Sequence, residues 1–345
     1  MGRVTIKDVA RRAGVSTGTV SNTLSGKQPV SEATRRRVLE AIEELGYHPN
    51  EVARSLVTQR SHTLGVVAMG FDYFGPSQTV TGIEREARRQ GYFVTLSVVG
   101  PDDTDADEVL QALVDRRMDG IIWAVPEIGG NHAWIENGIP LELPVVFTNM
   151  ERRSDVAAAV IDNFAGGKMA TEHLLSQGRC RIGHITGPLA WWEARERRRG
   201  WQAALRAVGL TEQTTWWEEG DWSARSGRAA MERLLARCPQ MDAVFVQNDQ
   251  MALGAITALR GRDLRVPEEV ALVGFDDIPE AAYFEPPLTT IRQDLHELGR
   301  ATVQSLLELI ETPDARRGYI SLKPQLIVRE SCGRVVSPAP TRERR

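Results

Sequence analysis

The stretch IKDVARRAGVSTGTVSNTL, running from Ile6 to Leu24, sets Ser16, Thr17, Thr19, Ser21 and Asn22 in one helical segment just after a glycine turn at Gly14. Short hydroxyl and carboxamide side chains on such a helix reach base edges or phosphate oxygens when it lies in a DNA major groove. Two helices about a tight turn, the second capped by Ser16, make a helix-turn-helix pattern. Charge agrees with it. The first sixty residues hold ten Lys and Arg against six Asp and Glu, whereas the remainder holds 32 against 40. A basic head on an acidic body is an electrostatic footprint of nucleic-acid binding.

The elements that must position these groups carry their own start and stop signals. Thr5 with Asp8 three residues on, and Ser31 ahead of EATRRR, are candidate N-caps, while Gly14, Gly26 and Gly46 are candidate terminators. Three helices result, with apolar faces of Ile6, Val9, Ala10 and Ala13, then Val15, Val20 and Leu24, then Val38, Leu39, Ile42 and Leu45. After Pro49, NEVARSLVTQRSHT reads as a linker with latent helical character. From residue 62 the strand-like runs LGVVAM, YFVTLSVV, GIIWAV, PVVFTN, AAVI, RIGHIT, AVFVQ and VALVGF alternate with helical stretches. That alternation predicts parallel βαβ units in doubly wound sheets. Gly120, Gly187 and Gly274 are expected at strand ends, where open α/β sheets bind small molecules. The tail SPAPTRERR reads as disordered and carries no coiled-coil heptad.

Other chemistries find little support. Cys180, Cys238 and Cys332 are far apart, without a CxxC or a histidine pair, so buried free thiols are expected and no zinc site or disulfide framework. MGRVTIKDVARRAG lacks the apolar core of a signal peptide, and no run of about 18 apolar residues occurs, which points to a cytoplasmic protein that does not enter membranes. GGK at 166–168 is followed by Met169 and so is no phosphate loop; G-x-G-x-x-G, G-x-S-x-G and histidine-pair motifs are missing too. The expectation is a chain without catalytic residues, cofactor or metal.

Longer segments carry a family likeness. TIKDVARRAGVSTGTVSNTLSG, VSEATRRRVLEAIEELGYHPN and VARSLVTQRS, followed in order by PSQTVTGIEREARRQGY, DGII, TGP with EARERRRGW, GDWSARSG, QNDQMALGAI, VGFDD and PPLTTIRQD, resemble the LacI/GalR family of bacterial repressors. Several segments are close to its lactose-repressor branch. The resemblance implies that Thr17, Gly18 and Asn22 sit where the family reads operator bases. It also implies that Leu56 is a hinge leucine, one from each subunit, pushed between base pairs from the minor groove to kink the duplex. Thr5, Ser31, Asn50 and Ala53 complete the expected DNA-facing set. Gly18 has no side chain to read a base, and Asn22 stands where many relatives carry arginine. Affinity is therefore expected to lean on phosphate contacts and the hinge kink.

For the body, the resemblance implies a periplasmic-binding-protein-like core of two doubly wound subdomains in which Arg197, Asn248, Asp276 and Gln293 converge on an effector. A guanidinium, a carboxylate and amides suit the hydroxyls of a sugar. Trp191, Trp192, Trp201 and Trp222 flank these positions in sequence, and of them Trp222, in GDWSARSG, is the one expected to offer a face to sugar C–H groups. Tyr73 and Ser77 in FDYFGPSQ, and Asn149, which stands where the lactose-repressor branch has a carboxylate, complete the set. The expected organisation is a DNA-binding domain at 1–46, a linker with hinge helix at 47–61, a core at 62–332 and a tail at 333–345. Within the core, one subdomain takes about 62–160 and 293–322, the other about 161–292 and 323–332. The expected function is a homodimeric repressor on a pseudo-palindromic operator, released when a mono- or disaccharide closes the cleft. A regulator using a purine or phosphorylated metabolite as corepressor is the alternative. A solute-binding transport protein shares the body's fold but has no role for the head.

Overall fold

The structure, a computed structural model, describes residues 4–25, 28–47, 60–100, 106–128, 131–136, 143–154, 156–210, 216–313 and 317–333. The chain divides after Ser61 into a head and a core. Gly26, most of the expected linker and tail, and with them Asn50, Ala53 and Leu56, lie outside the described residues.

The head is built from α1 (Ile6–Ala13), α2 (Thr17–Ser25) and α3 (Glu32–Leu45). The Thr5 backbone N–H and hydroxyl both donate to Asp8 Oδ2, at 3.0 and 2.6 Å. Ser16 Oγ accepts from the Thr19 N–H at 3.1 Å and Ser31 Oγ from the Thr34 N–H at 3.3 Å. Gly14 ends α1 at φ 65°, in the left-handed region where a Cβ is resisted. Val9, Val20 and Val38 are fully buried, joined by Ala10, Ala13 and Ala41. Leu24 and Leu39, expected inside, are exposed; Thr23, three residues after Val20, and Ala41, three after Val38, take the inward positions instead.

The core begins with β1 (Thr63–Ala68), α4 (Phe74–Arg89), β2 (Phe93–Val98), α5 (Ala106–Asp115), β3 (Gly120–Ala124), the one-turn α6 (Ala133–Glu136), β4 (Val145–Thr148) and β5 (Ala157–Ile161). It continues with α7 (Asn163–Ser176), β6 (Ile182–Thr186), α8 (Trp192–Ala207), β7 (Trp217–Glu219), α9 (Ala224–Arg237), β8 (Ala243–Val246), α10 (Asp249–Arg260), β9 (Ala271–Asp276) and β10 (Thr289–Arg292). The chain closes with α11 (Leu295–Glu311), β11 (Tyr319–Leu322) and β12 (Gln325–Ile327).

These strands form two sheets, ordered β2-β1-β3-β4-β5-β11 and β7-β6-β8-β9-β10-β12, every neighbouring pair parallel except the antiparallel β10–β12. The inner strands β3, β5, β6, β8 and β9 are buried throughout, as a sheet covered by helices on both faces requires. The chain leaves the first sheet after β5, returns through α11 and β11, and ends in the second. Gly187 directly follows β6 as expected, but Gly120 opens β3 at its amino end and Gly274 lies within β9, so neither of these marks a carboxyl end of a strand. A Cβ at Gly120 would sit 2.8 Å from Leu306 Cδ1 and one at Gly274 2.8 Å from Leu288 Cδ2; close packing fixes both. Cys238 and Cys332 are buried, but Cys180 is exposed. No helix among the described residues is long and apolar enough to cross a membrane.

A close contact between two helices sets the position of Arg197. Gly167 of α7 and Gly200 of α8 each face the other helix's backbone, and a Cβ on Gly167 would collide with the Arg197 carbonyl. The helix that carries Arg197 is thereby clamped at that residue. Gly167→Ala should lower the unfolding free energy in urea by about 1–3 kcal/mol. Gly75→Ala, whose added Cβ meets nothing within 4 Å, should stay within about 1 kcal/mol of the parent protein or stabilise it.

Candidate functional site

In the head, Thr5, Ser16, Thr17, Gly18, Ser21 and Ser31 are exposed, and Thr19 and Asn22 are half-buried. Ser16, Thr5 and Ser31 are committed to their caps, and Ser16 Oγ also meets Thr19 Oγ1 at 3.0 Å. The Asn22 amide donates to Gln28 Oε1 at 3.3 Å, a long bond that yields readily to a better acceptor. Thr17 and Ser21 are exposed hydroxyls on α2 that no cap engages.

In the core, a cavity of about 500 Å³ opens where the carboxyl ends of the strands of both sheets meet. Asp72 and Tyr73 follow β1, Asn149 follows β4, Asn248 follows β8, Asp276 ends β9 and Gln293 follows β10; Glu193 and Arg197 look in from α8 and Trp222 from the loop before α9. Tyr73, Trp191 and Trp222 form a wall of edge-to-face rings, with centroids 5.4 and 5.6 Å apart. Asn149, Trp222 and Asp276 hold φ angles of 53°, 72° and 110°. Non-glycine residues in that region store strain, and here three of them line one cavity.

Arg197 is the charged centre of this arrangement. It is 6% exposed, its Nε donates to Asn163 Oδ1 at 2.7 Å, and its Nη1 donates to the Gln247 carbonyl at 2.5 Å. The Phe275 ring lies 3.7 Å from its guanidinium carbon and the Trp222 ring 5.6 Å away. The Asp276 carboxylate stands 3.9 Å from Nη1. Asp276 Oδ1 also accepts from Gln293 Nε2 at 2.6 Å. Burial pushes the Asp276 carboxyl up to about 6, opposed by Arg197 and Gln293. Glu193, buried one helical turn before Arg197, is pushed up by burial to about 7.

These features coincide with those of known regulators. The description "Bacterial regulatory proteins, lacI family" matches residues 5–50 and "Periplasmic binding protein-like domain" matches residues 171–332. The chain is 36% identical to the HTH-type transcriptional repressor PurR of Aliivibrio salmonicida over 330 residues, 95% of this chain and 98% of that protein. It is also 36% identical to the ribose operon repressor of Escherichia coli, over 95% of this chain and 99% of that protein. A crystal structure of the Lac repressor dimer bound to operator and an anti-inducer superposes with a TM-score of 0.86 at 33% identity, covering 96% of this chain and 100% of that one. The chain belongs to the LacI family. It is a transcription regulator with a helix-turn-helix head and a periplasmic-binding-protein-like core.

In this LacI-family core, Tyr73, Asn149, Arg197, Trp222, Asn248, Asp276 and Gln293 gather around one cavity. Ser77 and Trp192 are left out. Ser77 lies one turn inside α4, where its hydroxyl donates to the Phe74 carbonyl at 2.9 Å. Trp192 is the first residue of α8 and turns into the interior, so its neighbour Trp191 lines the cavity instead. Trp201 is fully buried and stacks on His184 at 4.8 Å. Asn248 is largely spent within the fold: Oδ1 caps α10 by accepting from the Met251 N–H, and Nδ2 donates to the Trp222 carbonyl and Gln250 Oε1. Its task is to hold Trp222 in its strained conformation. Sequence reasoning missed Glu193, whose place four residues before Arg197 puts both on one helical face and was a readable signal. It also missed Asp221 and Ser223, which flank Trp222 in GDWS.

Behind Arg197 stands His184, fully buried between Trp201 and Phe245. Its Nδ1 lies 3.0 Å from the Phe245 carbonyl and its Nε2 3.0 Å from Gln247 Nε2, which fixes a neutral ring donating at Nδ1 and accepting at Nε2. Gln247 Nε2 also donates to the Ala194 carbonyl and Gln247 Oε1 accepts from the Gly187 N–H, so one amide ties β6, α8 and β8 together at the residue that grips Arg197. Burial drives the imidazole down to about 3. A histidine depressed in the fold binds its proton in the unfolded chain first, so its stabilisation is present above pH 6.5 and is lost as pH falls toward 3. Between pH 6 and 4 the parent protein should therefore lose stability faster than His184→Gln, by about 1.4 kcal/mol per pH unit, measured by urea unfolding at each pH.

Proposed function

We propose that this protein is a homodimeric transcriptional repressor that holds its operator through two helix-turn-helix heads and is released when a small neutral or weakly cationic saccharide fills the core cavity. The observation that supports this most is the cavity's chemistry. A carboxylate, a guanidinium and an amide converge in it, a set that binds neighbouring hydroxyls in pairs, and three aromatic rings, one of them 5.6 Å from that guanidinium, wall it where sugar C–H faces rest. Among the lining residues stand four carboxylates, Asp72, Glu193, Asp221 and Asp276, against the single guanidinium of Arg197, whose Nε and Nη1 are already engaged within the fold. That balance disfavours a phosphorylated metabolite. A purine corepressor is the second reading, since the similar PurR of Aliivibrio salmonicida carries a purine-repressor name and a flat base also suits aromatic walls.

The dimer reading rests on exposed apolar groups in the core. Edge strand β2 presents Phe93, Leu96 and Val98, and Leu253 and Tyr283 are exposed elsewhere on the core. An exposed apolar edge of this kind is an invitation to pair with another chain. Two heads in such a dimer read successive major grooves, and the 47–61 segments, with Leu56, enter the minor groove between them. Saccharide binding favours a closed arrangement of the two lobes by its differential affinity for it, and closure alters the spacing of the hinge segments on DNA.

A thermal-shift screen with D-ribose, D-glucose, D-galactose, lactose, cellobiose, hypoxanthine and guanine tests the ligand class. A saccharide at a hundredfold excess over its Kd should stabilise the protein by about 2.7 kcal/mol, and Asp276→Asn should remove the shift; stabilisation by a purine alone would replace the saccharide reading with the corepressor one. In the head, Leu56→Ala should weaken operator binding and reduce DNA bending in a circular-permutation gel assay while leaving the saccharide shift intact. Unchanged bending would deny Leu56 its hinge role.

A further inference from the structure

Glu193 is a buried, cavity-lining carboxyl whose only hydrogen bond among the described residues is accepted from its own backbone N–H. It is 6% exposed, it lines the cavity, and its Oε2 is buried with no hydrogen-bond partner. Each other buried carboxylate nearby is satisfied. Asp276 is held by Gln293 and Arg197, and Asp249 accepts from Thr290 Oγ1 at 2.6 Å and from the Ile278 N–H at 2.9 Å. The Trp222 Nε1–H, on the same cavity, is likewise buried and unpartnered. A buried acceptor and a buried donor left unpaired beside an open volume weaken the empty protein and call for a ligand that supplies the complements.

The charges around Glu193 narrow what that ligand is. Arg197 and Arg195 face it from its own helix, and Glu127, beyond the end of β3, faces it from the first sheet. Neither arginine makes a hydrogen bond or ion pair with it, and each has an end turned elsewhere. Arg197 is bound to Asn163, the Gln247 carbonyl and Asp276, Arg195 reaches back to the Leu189 and Ala190 carbonyls, and Glu127 is answered by Arg153 at 3.6 Å. The carboxylate is left for a cation that arrives with the ligand.

We propose that the effector is an amino sugar, and that Glu193 is the residue that selects it by pairing its free carboxylate oxygen with the ligand's protonated amine while Trp222 Nε1 donates to an adjacent hydroxyl. This rests on the saccharide reading of the cavity and narrows it to an aminated class. Pairing requires the ionised carboxylate, and burial holds Glu193 near neutrality in the empty protein. Binding near pH 6 therefore expels a proton from Glu193.

Titration calorimetry with matched pairs, D-glucosamine against D-glucose and D-galactosamine against D-galactose, tests this, run at pH 6 in two buffers of different ionisation enthalpy. Expected are a preference for the amine of about tenfold or more, the weight of one hydrogen bond to a charged group, and net proton release. In Glu193→Gln both the preference and the release should disappear, and the parent protein's matched pairs and proton count decide the matter even if that variant folds poorly. Equal affinity within each pair overturns the amine assignment and leaves the saccharide reading standing. If no sugar binds but the diamine putrescine does, and the Gln variant abolishes it, the carboxylate's preference for a cation survives and the saccharide reading falls. Binding of neither sugar nor diamine overturns both.

Discussion

A guanidinium withdrawn from water must be given partners on every side, and most of the core's cavity follows from meeting that demand for Arg197. Its partners come from four places: Asn163 at the start of α7, the Gln247 carbonyl at the end of β8, and Phe275 and Asp276 at the end of β9, with Trp222 beyond. Each is itself held. Gln247 is braced by His184, Asp276 by Gln293, and Trp222 by Asn248. The residues that line the cavity are thus fixed by a network that terminates in the interior of the second sheet. This is what a binding site needs, because a group already immobilised loses less freedom when a ligand arrives.

Gln293 gives the network its reach across the molecule. It follows β10, the last parallel strand of the second sheet, and precedes α11, which packs Val303, Leu306 and Leu309 against the first. A ligand that draws on Asp276 therefore also draws on the segment by which the chain passes between its two sheets. Coupling of cavity to lobe arrangement requires no more than a ligand that binds one arrangement better than the other.

The alternation of apolar runs with helical stretches made the α/β core legible, and capping residues made the head legible down to Thr5, Ser16 and Ser31. Short strands without a continuous apolar run were invisible: β7, β10, β11 and β12 have three or four residues each and mix polar with apolar ones, whereas β4 and β8, equally short, showed as apolar runs. Helix phase caused the near misses. Trp192 and Leu39 sit one position from residues that do face the cavity or the core, and a single residue rotates a helical side chain by about 100°. Gly120 and Gly274 misled because close approach, which depends on partners distant in sequence, produces the same letter as a turn. Asn248 has the polar head of a ligand group, yet its amide is occupied with Trp222, a contact across 26 residues that no spacing rule conveys.

If the two halves of the protein act as one regulator, a ligand held beside Arg197 and Asp276 loosens the grip of the head on DNA. The most direct measurement is fluorescence anisotropy of a labelled duplex, recovered by selection from random sequence and bound by the full chain, as the saccharide that stabilises the protein is added. Anisotropy should fall toward that of free duplex, with its midpoint set by the ligand's affinity for the core. A constant or rising signal at saturating ligand would contradict release by the ligand.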